Sequence, residues 1–210
     1  SLTFKSTFKN TSFLEFANFH RSASKDYWIT RNNVDAPFIK KPENYGTMLQ
    51  YKGPSKDLFN YFLEVKREKG KTWGSSALGF NTAYTAQIDL SPKDNLKFSL
   101  MHQHAVEDIW LNWVQDNLLA IYQEKKQRTT IASLNWFGGD RHELRMKAQM
   151  VAFTARNPGA YLGDRYGALN PVEMTLPPFT LSDLAFQVRY RYEILPLAYL
   201  YVVYSKGGRI

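Results

Sequence analysis

The strictest constraint in this chain is a two-residue period. Between Asp183 and Ile194, Leu184, Phe186, Val188, Tyr190, Tyr192 and Ile194 share one parity, while Asp183, Ala185, Gln187, Arg189, Arg191 and Glu193 share the other. Successive side chains of a strand point to opposite faces, so this order demands an extended strand with one apolar and one polar side; a 3.6-residue helical period would scramble it. The division recurs in Phe59, Tyr61, Leu63 and Val65 against Asn60, Glu64 and Lys66, and in Leu144, Met146, Ala148 and Met150 against Arg145, Lys147 and Gln149. Leu78, Phe80, Tyr84, Ile88 and Leu90 oppose Asn81, Gln87 and Asp89, and shorter runs set Leu2, Phe4 and Phe8 against Lys5 and Lys9, and Leu96, Phe98 and Leu100 against Lys97 and Ser99. Sustained helical spacing is nearly absent, and only Trp110 to Lys126 also suits a short helix, through Leu118, Leu119, Ile121 and Tyr122. The expected fold class is all-β.

Turn residues divide the runs. Lys9-Asn10-Thr11, Gly53 to Asp57, Ser91 to Asn95 and Phe137 to Asp140 are short enough to close hairpins. Ser22 to Asn44, Lys69 to Gly74, His104 to Gln127 and Arg156 to Phe179 read as longer connections. Short and long connections alternate, which predicts about ten strands of roughly ten residues in up-and-down order. Residues 1–210 form a single domain or the carboxy-terminal part of one, with no repeat or linker.

Alternating strands of that length, with short turns at one end and long loops at the other, are what a transmembrane β-barrel requires. Hydrocarbon leaves no backbone group unpaired, so a sheet can span it only when closed. The apolar face then meets lipid, which accounts for 15% aromatic residues in a chain with net charge +8 (27 Lys+Arg against 19 Asp+Glu). Phe59, Tyr61, Phe80, Tyr84, Phe98, Trp136, Phe186, Tyr190, Tyr192 and Tyr204 are the lipid-facing or girdle candidates, and Tyr45, Tyr51, Trp73, Phe137, Tyr199 and Tyr201 also suit interfacial girdles. Lys5, Glu64, Lys66, Asp89, Lys97, Arg145, Lys147, Arg189, Arg191 and Glu193 are the lumen-facing candidates. The alternative is a soluble β-barrel or sandwich whose apolar face points inward around a ligand, because alternation alone does not say which face is inside.

Chemistry-bearing patterns are sparse. The absence of cysteine excludes disulfides, thiolate metal sites and cysteine nucleophiles. His102 and His104, near Glu107 and Asp108, are weak metal candidates, expected instead where a lipid-facing strand emerges into a polar loop. His20 and His142 are isolated, no Gly-x-Ser-x-Gly elbow occurs, and neither an enzyme nor a cofactor is expected. Basic runs are short and the aromatics keep to the opposite parity from the charges, so the expected partners are a lipid bilayer and lipopolysaccharide, with a carbohydrate or small solute, and not nucleic acid.

Arg128 to Trp136, Leu144 to Gln149, Phe186 to Glu193 and Leu200 to Tyr204 resemble an outer-membrane β-barrel family of Gram-negative bacteria, in which the barrel follows a carbohydrate-binding family 9-like module. Thr30-Arg31 and Lys40-Lys41-Pro42 resemble that family's Arg … Pro loop. The resemblance covers the last third of the chain and, more loosely, the rest. It implies an outer-membrane location, a preceding module with further strands ahead of Ser1, and no catalytic residues. Two features depart from the family: the last turn is Pro196-Leu197-Ala198 without glycine, and the chain ends Gly207-Gly208-Arg209-Ile210, with Tyr204 as its last aromatic.

Overall fold

A computed structural model describes residues 2–31, 33–54, 58–71 and 78–209. Trp73, Ala77, Ile210 and the Ser55–Asp57 part of one expected turn lie outside the described residues, as does most of the Lys69–Gly74 connection. Thirteen strands are present among the described residues, and no helix: β1 (Leu2–Thr7), β2 (Phe13–Arg21), β3 (Ser24–Asp26), β4 (Ile39–Lys41), β5 (Asn44–Lys52), β6 (Phe59–Lys71), β7 (Leu78–Lys93), β8 (Leu96–Gln115), β9 (Leu118–Gly138), β10 (His142–Gly163), β11 (Leu169–Val172), β12 (Phe179–Leu195) and β13 (Ala198–Arg209). Ten of them form one antiparallel up-and-down sheet in the order β1-β2-β5-β6-β7-β8-β9-β10-β12-β13; β11 pairs with the outer part of β10, and β3 with β4. The expected all-β, up-and-down architecture is therefore present.

At one end the connections are tight. Thr11 takes a φ of 66° in the β1–β2 turn, Gly139 one of 62° between β9 and β10, and Leu197 one of 68° between β12 and β13. Gly139 is where the left-handed backbone comes without steric cost; Leu197 adopts it despite its Cβ. At the other end lie residues 22–43, which contain β3 and β4, and 164–178, which contain β11.

Two expectations about that end are corrected. His104 to Gln127 is not a long connection and Trp110 to Lys126 is not helical: β8 and β9 run on through both and meet in a two-residue turn, Asp116-Asn117, closed by the Gln115–Leu118 pair. Arg156 likewise stays in strand, since β10 reaches Gly163. Strands β8, β9 and β10 are 20, 21 and 22 residues long, about twice the roughly ten needed to cross a bilayer. Their outer halves mix polar and apolar residues because they are packed on both sides, and that erases the clean alternation.

Most of the core sits there. Ile39, Leu111, Leu119 and Ile121 are buried together with Ile29, Ile109, Tyr161 and Leu169 against them. Ala120, Tyr122 and Ala155 form a second cluster with Trp110, Val114, Leu176 and Phe179. Leu119 and Ile121 alternate with Ala120 and Tyr122, so the outer half of β9 carries a core on each face: the β3–β4 segment covers one and residues 176–179 the other. Away from this end the sheet has almost no core. A water-soluble monomer of 24.4 kDa exposes about 10,000 Å², whereas this chain exposes 13,870 Å².

Candidate functional site

Register sorts the side chains of the large sheet onto two faces. One lateral row reads Leu14, Tyr51, Leu63, Ala86, His102, Thr130, Met150, Leu184, Gly208. The adjacent row on the opposite face reads Lys5, Glu15, Gln50, Glu64, Thr85, Gln103, Thr129, Val151, Asp183, Arg209. All ten lumen-facing candidates fall on the polar face and all ten lipid-facing candidates on the apolar one.

Solvent exposure of the two faces is opposite to that of a soluble sandwich. In β6 and β7, Leu63 is 48%, Val65 43% and Ile88 41% exposed, while Glu64, Lys66, Gln87 and Asp89 are half-buried and Glu68 is only 8% exposed. The polar side is the sheltered one over β5–β8; toward β10 and β12 this reverses, with Arg145, Lys147, Gln187 and Arg189 exposed and Leu144, Met146, Phe186 and Val188 half-buried. Phe59, Tyr84, Phe98 and Tyr204 are exposed on the apolar face, and Tyr61, Phe80, Trp136, Phe186, Tyr190 and Tyr192 are half-buried among their neighbours. Three aromatics expected in the girdle, Phe137, Tyr199 and Tyr201, stand on the polar face instead, because they pair with Glu143, Glu193 and Arg191. Lys206 breaks the pattern from the other side, lying on the apolar face opposite Phe186.

Many charges of the polar face are paired, some across strands and some along one strand. Glu68 accepts from Arg21 at 3.0 Å and binds Lys66 at 2.6 Å, and Asn44 Nδ2 donates to it at 3.3 Å. Lys125 meets Glu107 at 2.6 Å and Lys5 meets Glu15 at 3.4 Å; Gln50 donates to Glu15 and Gln87 to Asp89. Near the tight turns, Glu143, 6% exposed, pairs with Arg145 and, at 3.0 Å, with Arg191. A buried carboxylate left unpaired is costly, so each anchors its cations in turn. Lys97, Arg145 and Arg189 share one lateral row, with Lys147 one row away, so cations outnumber carboxylates at this end of the polar face. Glu193 takes part through its backbone, its N–H donating to Arg141 O at 2.8 Å.

Arg21, Glu68 and Lys125 are not among the residues the sequence singles out for the lumen, and Glu107 is singled out only beside the histidines, although all four hold these networks together. Their parity was visible, but which carboxylate meets which cation depends on the stagger between strands 18 to 47 residues apart. The β3–β4 segment lies against this polar face, where Asp26, Ile29 and Lys41 join Arg21, Glu68 and Glu107 around a cavity of about 270 Å³.

His102 and His104 do not emerge into a loop, because β8 continues past them to Gln115. His102 Nδ1 lies 2.9 Å from Thr130 Oγ1, and His104 sits in register with Tyr84 and Arg128. Among the described residues no group of three His, Asp or Glu side chains is placed to hold a metal ion. Among the described residues no helix is long and apolar enough to cross a membrane, which says nothing of crossing by strands. In comparisons with known proteins, no family model, curated protein or solved structure matches this chain.

Proposed function

We propose that the chain is a transmembrane β-barrel protein of a Gram-negative outer membrane, serving as an anchor or passage for a carbohydrate-binding module or a small solute. The observation that carries this reading is the inverted polarity of the sheet over β5–β8, where the apolar face is open and the polar face sheltered and ion-paired. Water gives no reason to display Leu63, Val65, Ile88, Leu90 and Leu100 on one continuous face, whereas hydrocarbon does. The two-sided core of β8–β10 belongs to the part that projects into water. The alternative, a soluble barrel with a ligand in an apolar interior, draws only on that core. On the lipid reading, β1 and β13 are where the sheet closes or continues, because an open edge has no place in a bilayer.

A matched pair of substitutions tests the reading. Ile88→Arg puts a charge on the apolar face and Gln87→Arg puts one on the polar face of the same strand. Folding into phosphatidylcholine vesicles should be weakened by about 2–4 kcal/mol for a mid-bilayer cation on the lipid side and hardly at all for the other. Equal tolerance of both, or a wild-type chain that stays soluble and monomeric without detergent, would overturn it.

A further inference from the structure

The two edges of the apolar face are chemically different. Toward the tight turns it ends in neutral aromatics: Tyr51, Phe59 and Tyr61 pack together, and His142 stacks near Tyr190 and Tyr192. Toward the long connections the same face ends in cations. Arg67 and Lys69 stand two and four residues beyond Val65 on β6, and Lys126 and Arg128 occupy the corresponding edge of β9, opposite Val106 and His104. Arg67 and Lys69 lie 4.7 and 5.8 Å from the Phe80 ring centroid, and among the described residues neither meets a carboxylate. This contrasts with the polar face, where Lys5, Lys66, Lys125, Arg145 and Arg191 all meet one.

Below these two cations the surface is hollow. A groove of about 840 Å³ runs over Leu2, Leu49 and Val65 and opens beneath Arg67 and Lys69, with Tyr45 at its rim. Glu68 also lines the groove, but its carboxylate is engaged by Arg21 and Lys66, and His20, stacked on Tyr45, faces Glu43 at 3.5 Å. An apolar floor continuous with the lipid-facing band, topped by two carboxylate-free cations braced on an aromatic ring, is complementary to an amphiphile with an anionic head.

Resting on the transmembrane reading, we propose that this groove binds a phosphorylated lipid of the leaflet on the long-connection side. Arg67 and Lys69 take the phosphate, and the first part of an acyl chain lies over Leu49 and Val65. Arg offers the fork that matches phosphate oxygens and Lys adds a point charge. Among the described residues, the groove at the tight-turn edge, over Phe8 and Tyr51, is flanked by one cation, Lys9, and not by an Arg and a Lys together.

The test uses the full chain reconstituted in phosphatidylcholine vesicles containing a small fraction of lipid A, or of lipid A stripped of its phosphates. The lipid retained after detergent extraction is then counted. The wild type should retain the phosphorylated form in preference, and high salt or inorganic phosphate should weaken that preference. Each near-surface cation contributes roughly fivefold, so Lys69→Gln should lose about fivefold and Arg67→Gln with Lys69→Gln about 30-fold. Equal retention of both lipids by the wild type, or undiminished preference in the double variant, overturns the site while leaving the barrel in place. Failure of the wild type to insert into phosphatidylcholine alone overturns both. Inorganic phosphate that binds equally well to lipid-free protein in detergent would show a simple anion site and also overturn the proposal.

Discussion

Gly163 shows how closely the segment over the polar face is seated. A Cβ at this position would lie 3.0 Å from Ile39 Cδ1, 3.1 Å from Ala36 Cβ and 3.3 Å from Leu119 Cδ1, all in or beside the buried cluster. Gly163→Val should therefore cost about 1–3 kcal/mol by overpacking, and Leu119→Ala about 2–5 kcal/mol by leaving a cavity. Thermal unfolding of the detergent-solubilised chain checks both. The same region carries a pH-sensitive turn. Asp164 Oδ1 accepts the backbone N–H groups of Ala168 at 2.9 Å and Tyr166 at 2.8 Å. Chiefly through the Ala168 bond, and further through Tyr166, Asn170 and the charge of Lys40, its carboxyl is held below the usual range, against the opposing effect of burial. A carboxyl lowered in the folded state stabilises it fully above the ordinary carboxylate value and ceases to do so as pH falls through the lowered one. The protection of the Ala168 amide, its exchange measured against an unstructured amide at the same pH, should thus be full at neutral pH and fall below about pH 4, while Asp164→Asn should remove that dependence. On the other side of β9, burial pushes the Tyr122 hydroxyl upward, and it donates to Pro177 O at 3.3 Å, tying residues 176–179 down.

Among the elements, β13 is the one whose surroundings are incomplete. Every described residue of it is exposed, with Tyr199, Tyr201 and Val203 on the polar side and Leu200, Val202 and Tyr204 on the apolar side. Its only ladder partner among the described residues is β12. A long apolar edge of this kind is a template for another strand. In a lipid environment the amides of β13 should therefore exchange as slowly as those of β12, because closure or continuation of the sheet supplies the missing partner; β13 amides exchanging freely in micelles would speak against a closed barrel. Strands β8 to β10 teach a different lesson. Their inner halves alternate plainly, as Leu96, Phe98 and Leu100 against Lys97 and Ser99 do, and were legible at once. Their outer halves read as loop or helix in the sequence because Leu118 to Tyr122 is apolar on both parities. A strand covered on both faces has no reason to alternate, and its run of five apolar residues fits a helix equally well.

For the whole molecule, the transmembrane reading has the arrangement separate two solvents. The face of Leu63, Ile88 and Leu100 suits hydrocarbon, and the projecting ends with their two clusters suit water. The β3–β4 segment lies over the polar face between them, with Asp26 and Lys41 facing Glu68 and Glu107. If the polar face lines a pore, this segment narrows it. Conductance in planar bilayers should then be small and should rise several-fold when residues 24–41 are replaced by a short Gly-Ser linker; silence in both cases would favour the anchoring role. Two-residue periodicity by itself determined the strands, the up-and-down order and the division into an apolar and a polar face, because side-chain direction in a strand follows from parity alone. Only the tertiary structure decided which face is sheltered, which carboxylate meets which cation, and that β8 to β10 run far beyond the alternating segments. Those properties depend on stagger between strands and on segments folding back from a distance, and no local pattern records either.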